Sequence, residues 1–146
     1  MYKILSVLLF LVLLASGCSV NKRGEYRIFT TENEFTVKNL PVARTTFIVD
    51  SLTEISKIKT YHWNEGNGSE PGTISLRGPS GEMFGPWDAK GLEGKFNKKN
   101  VIWEVTPGVV LQPGEYEVIV SKPETWSYNE ESLNRGFVSI YTFIEE

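Results

Sequence analysis

The sequence predicts an all-β domain, an antiparallel β-sandwich of about eight short strands, with a β-barrel as the alternative. Short runs rich in Val, Ile, Thr and aromatic residues alternate with clusters of Gly, Pro and Asn, which is typical of strands and turns. The clearest runs alternate apolar and polar residues, as strands do when one face packs. After position 18, no long window has the apolar stripe of a helix.

The segment 1–17 predicts a secretory signal peptide. Lys3 precedes an apolar run at 4–14, and the small residues 15–17 form a cleavage site. The apolar run is shorter than the about 20 residues that a membrane-spanning helix needs. We therefore expect the segment to be removed.

Cys18, the only cysteine in the chain, follows this site directly. The order Ala15-Ser16-Gly17-Cys18 resembles the lipobox of bacterial lipoproteins, although leucine is commoner where Ala15 stands. The resemblance implies a diacylated Cys18 that holds the protein on a membrane, since two acyl chains anchor stably. The alternative is an ordinary secretory signal. The resemblance also implies that the protein is located in the cell envelope. Because Ser19 rather than Asp follows Cys18, it implies the outer membrane more than the inner membrane.

The polar segment up to residue 24 reads as a tether, so 18–24 is interpreted as lipidated cysteine and tether and 25–146 as the β-sandwich domain. The two clearest strands are 101–106 and 115–120. The others are predicted at 35–38, 46–49, 58–63, 73–77, 82–84 and 136–143. A short helical turn is expected near 127–133, where Ser127 and Glu130 have the spacing of a capping box.

Composition excludes some functions. Removing 1–17 takes away one basic residue, Lys3, from the 15 basic and 18 acidic residues of the chain, which leaves a net charge of −4. No basic stripe of the kind that nucleic-acid binding requires is visible, so no nucleic-acid partner is expected. With one cysteine the domain needs no disulfide, and the sequence predicts no cofactor.

Catalytic and metal-binding patterns are weak. His62, the only histidine, lies in a strand pattern, and we expect a structural or surface role for it. Because the expected lipidation uses the Cys18 thiol, no nucleophile–base pair is predicted. No Asp-x-Asp-x-Asp run suggests calcium, and no metal site is predicted. Acidic residues in turns leave open a hydrolase with a carboxylate pair. The expectation is that the protein is not an enzyme.

The tryptophans are more informative. Trp103 alternates with valines and is assigned to the core. Trp63, Trp87 and Trp126 lie at strand edges or in turn-rich segments, and the last two are expected outside the regular ladder. An aromatic ring beside polar groups suits a sugar or peptide ligand. The predicted ligand-binding residues are Trp63, Trp87, Asp88, Trp126 and Asn129. The alternative is that these rings plug the ends of the sandwich.

Four segments, at 61–76, 85–91, 111–129 and 135–137, together resemble a domain that recurs in secreted and surface-attached bacterial proteins. The resemblance implies a modular extracellular β-domain that is an accessory to something else. In the related pattern an Asp-Ser-Asp-Pro run precedes Thr-Trp-Ser, whereas this chain has Val-Ser-Lys-Pro at 120–123. Both acidic positions are lost, which argues further against calcium.

Three hypotheses follow. The first is a lipid-anchored binding or interaction module for a cell-envelope glycan or an envelope protein. The second is a structural envelope lipoprotein without a small ligand. The third is the carboxylate-dependent hydrolase. Surface exposure of Trp87 and Trp126 separates the first two, because rings that share an open groove favour binding and buried rings favour structure.

Overall fold

The structure, a computed structural model, describes residues 22–145 and places them in an all-β fold. This range contains thirteen strands and three short 3-10 helices. Two antiparallel sheets dominate, and neither closes on itself. The prediction of an all-β sandwich is confirmed, in preference to the barrel. Within the same range, no helix has the length and apolar character needed to cross a membrane.

The first sheet has five strands. In spatial order they are β1 (Arg23–Thr30), β13 (Val138–Glu145), β5 (Lys57–Tyr61), β9 (Ile102–Val105) and β8 (Lys90–Leu92). Alternation decides which side chains face the core, since Ile58 and Thr60 of β5 are fully buried while Lys57, Lys59 and Tyr61 face outward and are half-buried.

The second sheet has four strands, and two short ribbons accompany it. The sheet order is β3 (Thr46–Val49), β11 (Gly114–Val120), β6 (Thr73–Arg77) and β7 (Met83–Asp88). The ribbons pair β4 (Thr53–Ile55) with β10 (Val109–Leu111) and β2 (Lys38–Asn39) with β12 (Ser127–Tyr128). The 3-10 helices cover Asn64–Gly66, Lys95–Asn97 and Pro123–Thr125.

The inner faces of the two sheets share one hydrophobic core. Trp103 is fully buried in it, as the sequence predicts, and its ring N–H donates to the carbonyl of Ser69 at 2.9 Å. On β11, Tyr116, Val118 and Val120 are buried together on one face, again as the alternation indicates. Burial of such side chains is the main force that holds the sheets together.

Three edge strands differ from the prediction, and one of them, β8, lies in a segment where no strand was expected. β1 was not predicted, because a β-bulge between Arg27 and Phe29 breaks its alternation. β7 continues past its expected end at residue 84 and places Trp87 opposite Ile74 in the ladder. The expectation that Trp87 lies outside the ladder is therefore wrong. Pro86 is tolerated in β7 because this strand lies at the sheet edge. A proline there has no N–H to donate, but no neighbouring strand on that side needs the hydrogen bond.

Two short predictions on the loops are also corrected. The strand expected at 35–38 is reduced to Lys38–Asn39, and residues 31–37 form a loop. The helical turn expected near 127–133 is not a helix, because Ser127 joins β12 and its hydroxyl accepts a hydrogen bond from the backbone N–H of Trp63. The chain then makes a tight turn in which the N–H of Leu133 donates to Glu130 at 2.8 Å.

Candidate functional site

A cleft of about 550 Å³ lies at the end of the five-stranded sheet where β5 and β8 end and β9 and β13 begin. Its floor includes the outward side chains of Tyr61 and Ile102 together with Phe137, which directly precedes β13. The rings of Tyr61 and Phe137 pack with centroids 6.1 Å apart. The volume falls in the range of small-molecule sites in proteins.

One wall of the cleft is the loop that leaves β1, residues 32–37. Thr31 fixes the start of this loop, because its buried hydroxyl donates to the carbonyl of Gly136 at 2.7 Å and accepts the N–H of Val138 at 2.9 Å. Asn33 and Asn129 exchange two amide hydrogen bonds, at 3.0 and 2.7 Å. Buried side-chain bonds of this kind hold a loop that has no strand partner.

The opposite wall is the turn 93–96, which follows β8. Phe96 there has a left-handed backbone with φ 57°, and 81% of its side chain is exposed. Left-handed backbone is costly for a bulky side chain. Its ring lies 6.2 Å from that of Trp63 at an angle of 60°. Phe35 on the facing wall is also exposed, so aromatic rings border the cleft on both sides.

Charges at the rim are mostly acidic. Glu32, Glu34 and Glu93 line the cleft, with Lys95 as the cation. The Nζ of Lys95 lies 2.5 Å from a carboxylate oxygen of Glu34, and this ion pair links the two walls. The hydrogen bond holds the pKa of the Glu34 carboxyl below its usual value and the pKa of Lys95 above it. Burial raises the pKa of Tyr61 on the floor.

Of the ligand-binding residues predicted from the sequence, Trp63 lines this cleft. Trp87 is half-buried in β7 and packs against the core, and Asp88 is exposed at the end of the same strand. These two residues therefore lie on the other sheet, and the structure does not bring them to Trp63.

Trp126 is only 5% exposed. Its ring N–H donates to the carbonyl of Phe137 at 2.9 Å, and its six-membered ring packs against Gly136 so closely that a Cβ there would meet a ring carbon at 2.1 Å. Asn129 is buried as well and bonds Asn33. Both residues support the cleft from behind, as parts of the packed interior, and neither offers a surface to a ligand. Cys18 lies outside the described residues.

His62 is buried and stacks on Trp103 with ring centroids 3.8 Å apart. Its two ring nitrogens lie 2.9 Å from the hydroxyl oxygens of Thr60 and Thr125. Burial lowers its pKa to about 3, so the ring is neutral at ordinary pH. Both nitrogens are engaged within the fold, which matches the expected structural role.

Sequence reasoning missed the aromatic residues of the walls. Phe96 is the single aromatic side chain in the polar run 93–100, and that contrast is the signal that could have pointed to it. Phe35 was assigned to a strand, where an aromatic side chain needs no special explanation.

Among residues 22–145, no group of three or more His, Cys, Asp or Glu side chains is arranged to hold a metal ion. To a ligand the cleft offers aromatic faces, the half-buried hydroxyl of Tyr61 and carboxylates. Comparison with protein-family models, with curated proteins and with solved structures finds no match for this chain.

Proposed function

We propose that this protein is a non-enzymatic binding module, held on the cell envelope through lipid on Cys18, whose ligand occupies the cleft. The observation that carries the proposal is the set of aromatic rings around one cavity, from Tyr61 and Trp63 on one side to Phe96 and Phe35 at the walls. The ligand class is an envelope glycan or an exposed segment of an envelope protein. In a double-membraned bacterium the outer membrane is the expected location.

The chemistry of the cleft supports such a ligand. Aromatic faces pack against the apolar faces of sugar rings or against apolar side chains, while nearby carboxylates accept hydrogen bonds from hydroxyl or amine groups. Glu32 and Glu93 supply acceptors at the rim. The hydrogen bonds of Thr31 and Asn33 fix the wall before the ligand arrives, which reduces the entropy lost on binding.

Binding is tested with the full chain, screened against fragments of envelope glycans and then by crosslinking in the intact envelope. For a ligand so identified, Phe96→Ala is expected to weaken the affinity roughly 30-fold, because an aromatic anchor contributes about 2 kcal/mol. Tyr26→Ala is the matched control, since Tyr26 is an exposed aromatic outside the cleft. An affinity that falls with Trp87→Ala and not with Phe96→Ala would place the site on the other sheet.

The anchor is tested by labelling cells with a clickable palmitate analogue. The parent chain is expected to carry the label and to sediment with membranes, while Cys18→Ser loses both. A variant that keeps label and membrane fraction contradicts the lipoprotein assignment.

The same binding screens also separate the other two hypotheses, the structural lipoprotein and the hydrolase, from the binding module. The burial of Trp126 gives that ring a structural role, which favours a structural envelope lipoprotein. A chain that captures neither glycan nor protein would support this second hypothesis. The three glutamates of the cleft are the observation that favours a hydrolase. Against a general-acid role, the pKa of Glu34 is lowered by its bond to Lys95, whereas such an acid needs a raised pKa. Release of product from a bound glycan would establish the hydrolase.

A further inference from the structure

A second concave surface lies at the opposite end of the five-stranded sheet. It is a depression of about 380 Å³ between the edges of the two sheets, where β1 begins and β13 approaches its end. Arg23 and Phe143 line it from the five-stranded sheet, and Ile48 with the turn after β3 lines it from the other. Its lining is mixed, since Asp50, Ser51, Thr53, Glu54 and Thr142 contribute polar groups to it. We call this surface the apolar depression after the large apolar side chains that reach solvent along it.

Its walls carry large apolar side chains in solvent. Ile48 is 66% exposed and Leu52 63%, and Ile28 and Phe143 are also exposed. Contiguous exposed apolar side chains on a soluble domain mark a surface that another phase or partner covers.

The position of this depression in the chain indicates what covers it. Arg23 starts β1 and lines the depression, and it follows Cys18 by five residues. Five extended residues span at most about 18 Å. Lipid on Cys18 would therefore hold this end of the domain within that distance of the anchored cysteine.

We propose that the apolar depression docks on the lipid bilayer that holds the acyl chains of Cys18, with Leu52 and Ile48 in the interfacial region. The proposal rests on the lipid anchor of the proposed function. Side chains of this kind enter the boundary between headgroups and acyl chains. Arg23 suits the same zone, because its guanidinium lies 4.7 Å from the centroid of the Phe143 ring and pairs with Glu54 at 2.8 Å, which keeps its charge at headgroup level.

Docking also sets the direction of the cleft. β1 runs from Arg23 to Thr30, about 24 Å at the rise of an extended strand, and Glu32 of the cleft wall comes two residues later. With the Arg23 end of the apolar depression on the bilayer, the cleft lies beyond the other end of β1, on the side of the domain away from the membrane.

The test uses the full acylated chain, purified and reconstituted in vesicles of phosphatidylethanolamine and phosphatidylglycerol. A single cysteine replaces Leu52 and carries an environment-sensitive fluorophore, since the sulfur of an acylated Cys18 does not react. Leu133→Cys is the matched control, because Leu133 is 68% exposed in the loop that leads into β13 from the cleft end. Compared with detergent solution, vesicles are expected to shift the emission at position 52 to the blue and to reduce its quenching by aqueous iodide by roughly half. Position 133 is expected to be unchanged.

Adding Ile48→Asp to the Leu52→Cys protein is expected to restore the quenching. Equal quenching at positions 52 and 133 in an acylated chain would overturn docking and leave the anchor and the cleft untouched. Protection at position 52 that grows with the protein-to-lipid ratio would assign the surface to a second copy of the chain and overturn the proposal. A mass without acyl groups, with label on Cys18, would overturn docking together with the anchor.

Discussion

At the cleft end of the five-stranded sheet, long loops are fixed by buried polar side chains, whereas at the apolar end Ile48 of β3 and Leu52 of the turn after β3 are exposed to solvent. Several buried hydrogen bonds meet at the cleft end. The hydroxyl of Thr31 donates to the carbonyl of Gly136, and the hydroxyl of Thr45 accepts the N–H of the same glycine at 2.8 Å. At the apolar end, the ion pair of Arg23 with Glu54 is partly exposed on the surface.

The difference shows where each end obtains its stability. Buried polar groups need hydrogen-bond partners in the folded state, so the buried side chains of Thr31 and Asn129 tie the loops at the cleft end to the interior. Exposed apolar side chains contribute little to folding, and their retention calls for another role. We therefore expect substitutions of the buried side chains at the cleft end to destabilise the fold, and substitutions of the exposed apolar side chains at the apolar end to leave its stability unchanged.

The largest effect is expected from Trp126→Ala. Removal of a ring that is 5% exposed and packs on Gly136 should lower the free energy of unfolding by about 3–5 kcal/mol. Leu52→Ala, at the apolar end, should change it by less than about 0.5 kcal/mol. Urea denaturation of both variants measures the contrast. Similar losses in the two would end the distinction between the ends.

Asn129→Ala is next. It removes the partner of Asn33 and of the N–H of Ser132, at 2.9 Å, so buried donors and acceptors lose their bonds. The expected loss is about 1–3 kcal/mol, with faster amide hydrogen exchange in residues 31–37. Asn67→Ala, at an exposed position, is the control and should lie within about 0.5 kcal/mol of the parent. Unchanged exchange in 31–37 would mean that the wall is held by other contacts.

His62 provides a pH-dependent comparison. Its pKa is lowered by burial to about 3 in the fold, against an ordinary value of 6.5. Between these values the unfolded chain binds a proton that the folded chain does not, so stability falls as the pH drops below 6.5. From pH 7 to 5.5 we expect a loss of about 1.3 kcal/mol from this group. His62→Gln should flatten the dependence, and an equal slope in both proteins would contradict a buried neutral ring.

The smallest effect is expected from Lys95→Gln, which breaks the ion pair between the cleft walls. Exposed pairs contribute little, so the thermal midpoint should not change measurably. The pKa of Glu34, followed by NMR titration, should rise toward its ordinary value. Lys98→Gln in the same segment is the control and should leave it unaltered. A pKa of Glu34 that does not move would show that the walls are not joined in solution.

Sequence reasoning succeeded where a strand is central and its alternation is unbroken. β6 was predicted with its observed bounds, and β9 and β11 to within a residue or two at each end, because one buried face fixes the pattern. It failed at three of the four sheet edges, β1, β7 and β8, and a bulge in β1 and a proline in β7 interrupt the pattern there. The fourth edge strand, β3, keeps its alternation and was predicted with its observed bounds.

The site was less predictable than the fold. Trp126 and Asn129 stand in a segment that reads as a polar turn, and only the approach of the distant Gly136 and Asn33 buries them. Trp63 was identified because polar residues flank it in a strand pattern. The facing walls come from segments 26 to 33 residues away along the chain, one before Trp63 and one after it, and no local pattern records which loops meet across a sheet.

β1 has a mechanical consequence. If lipid holds the chain just before Arg23 and a ligand is held at the far end, tension between them runs along β1 against β13. The ladder bonds of an antiparallel pair lie perpendicular to the strands, so they are loaded in shear and share the force instead of opening one after another. A tethered module pulled from this strand resists extension along its whole length.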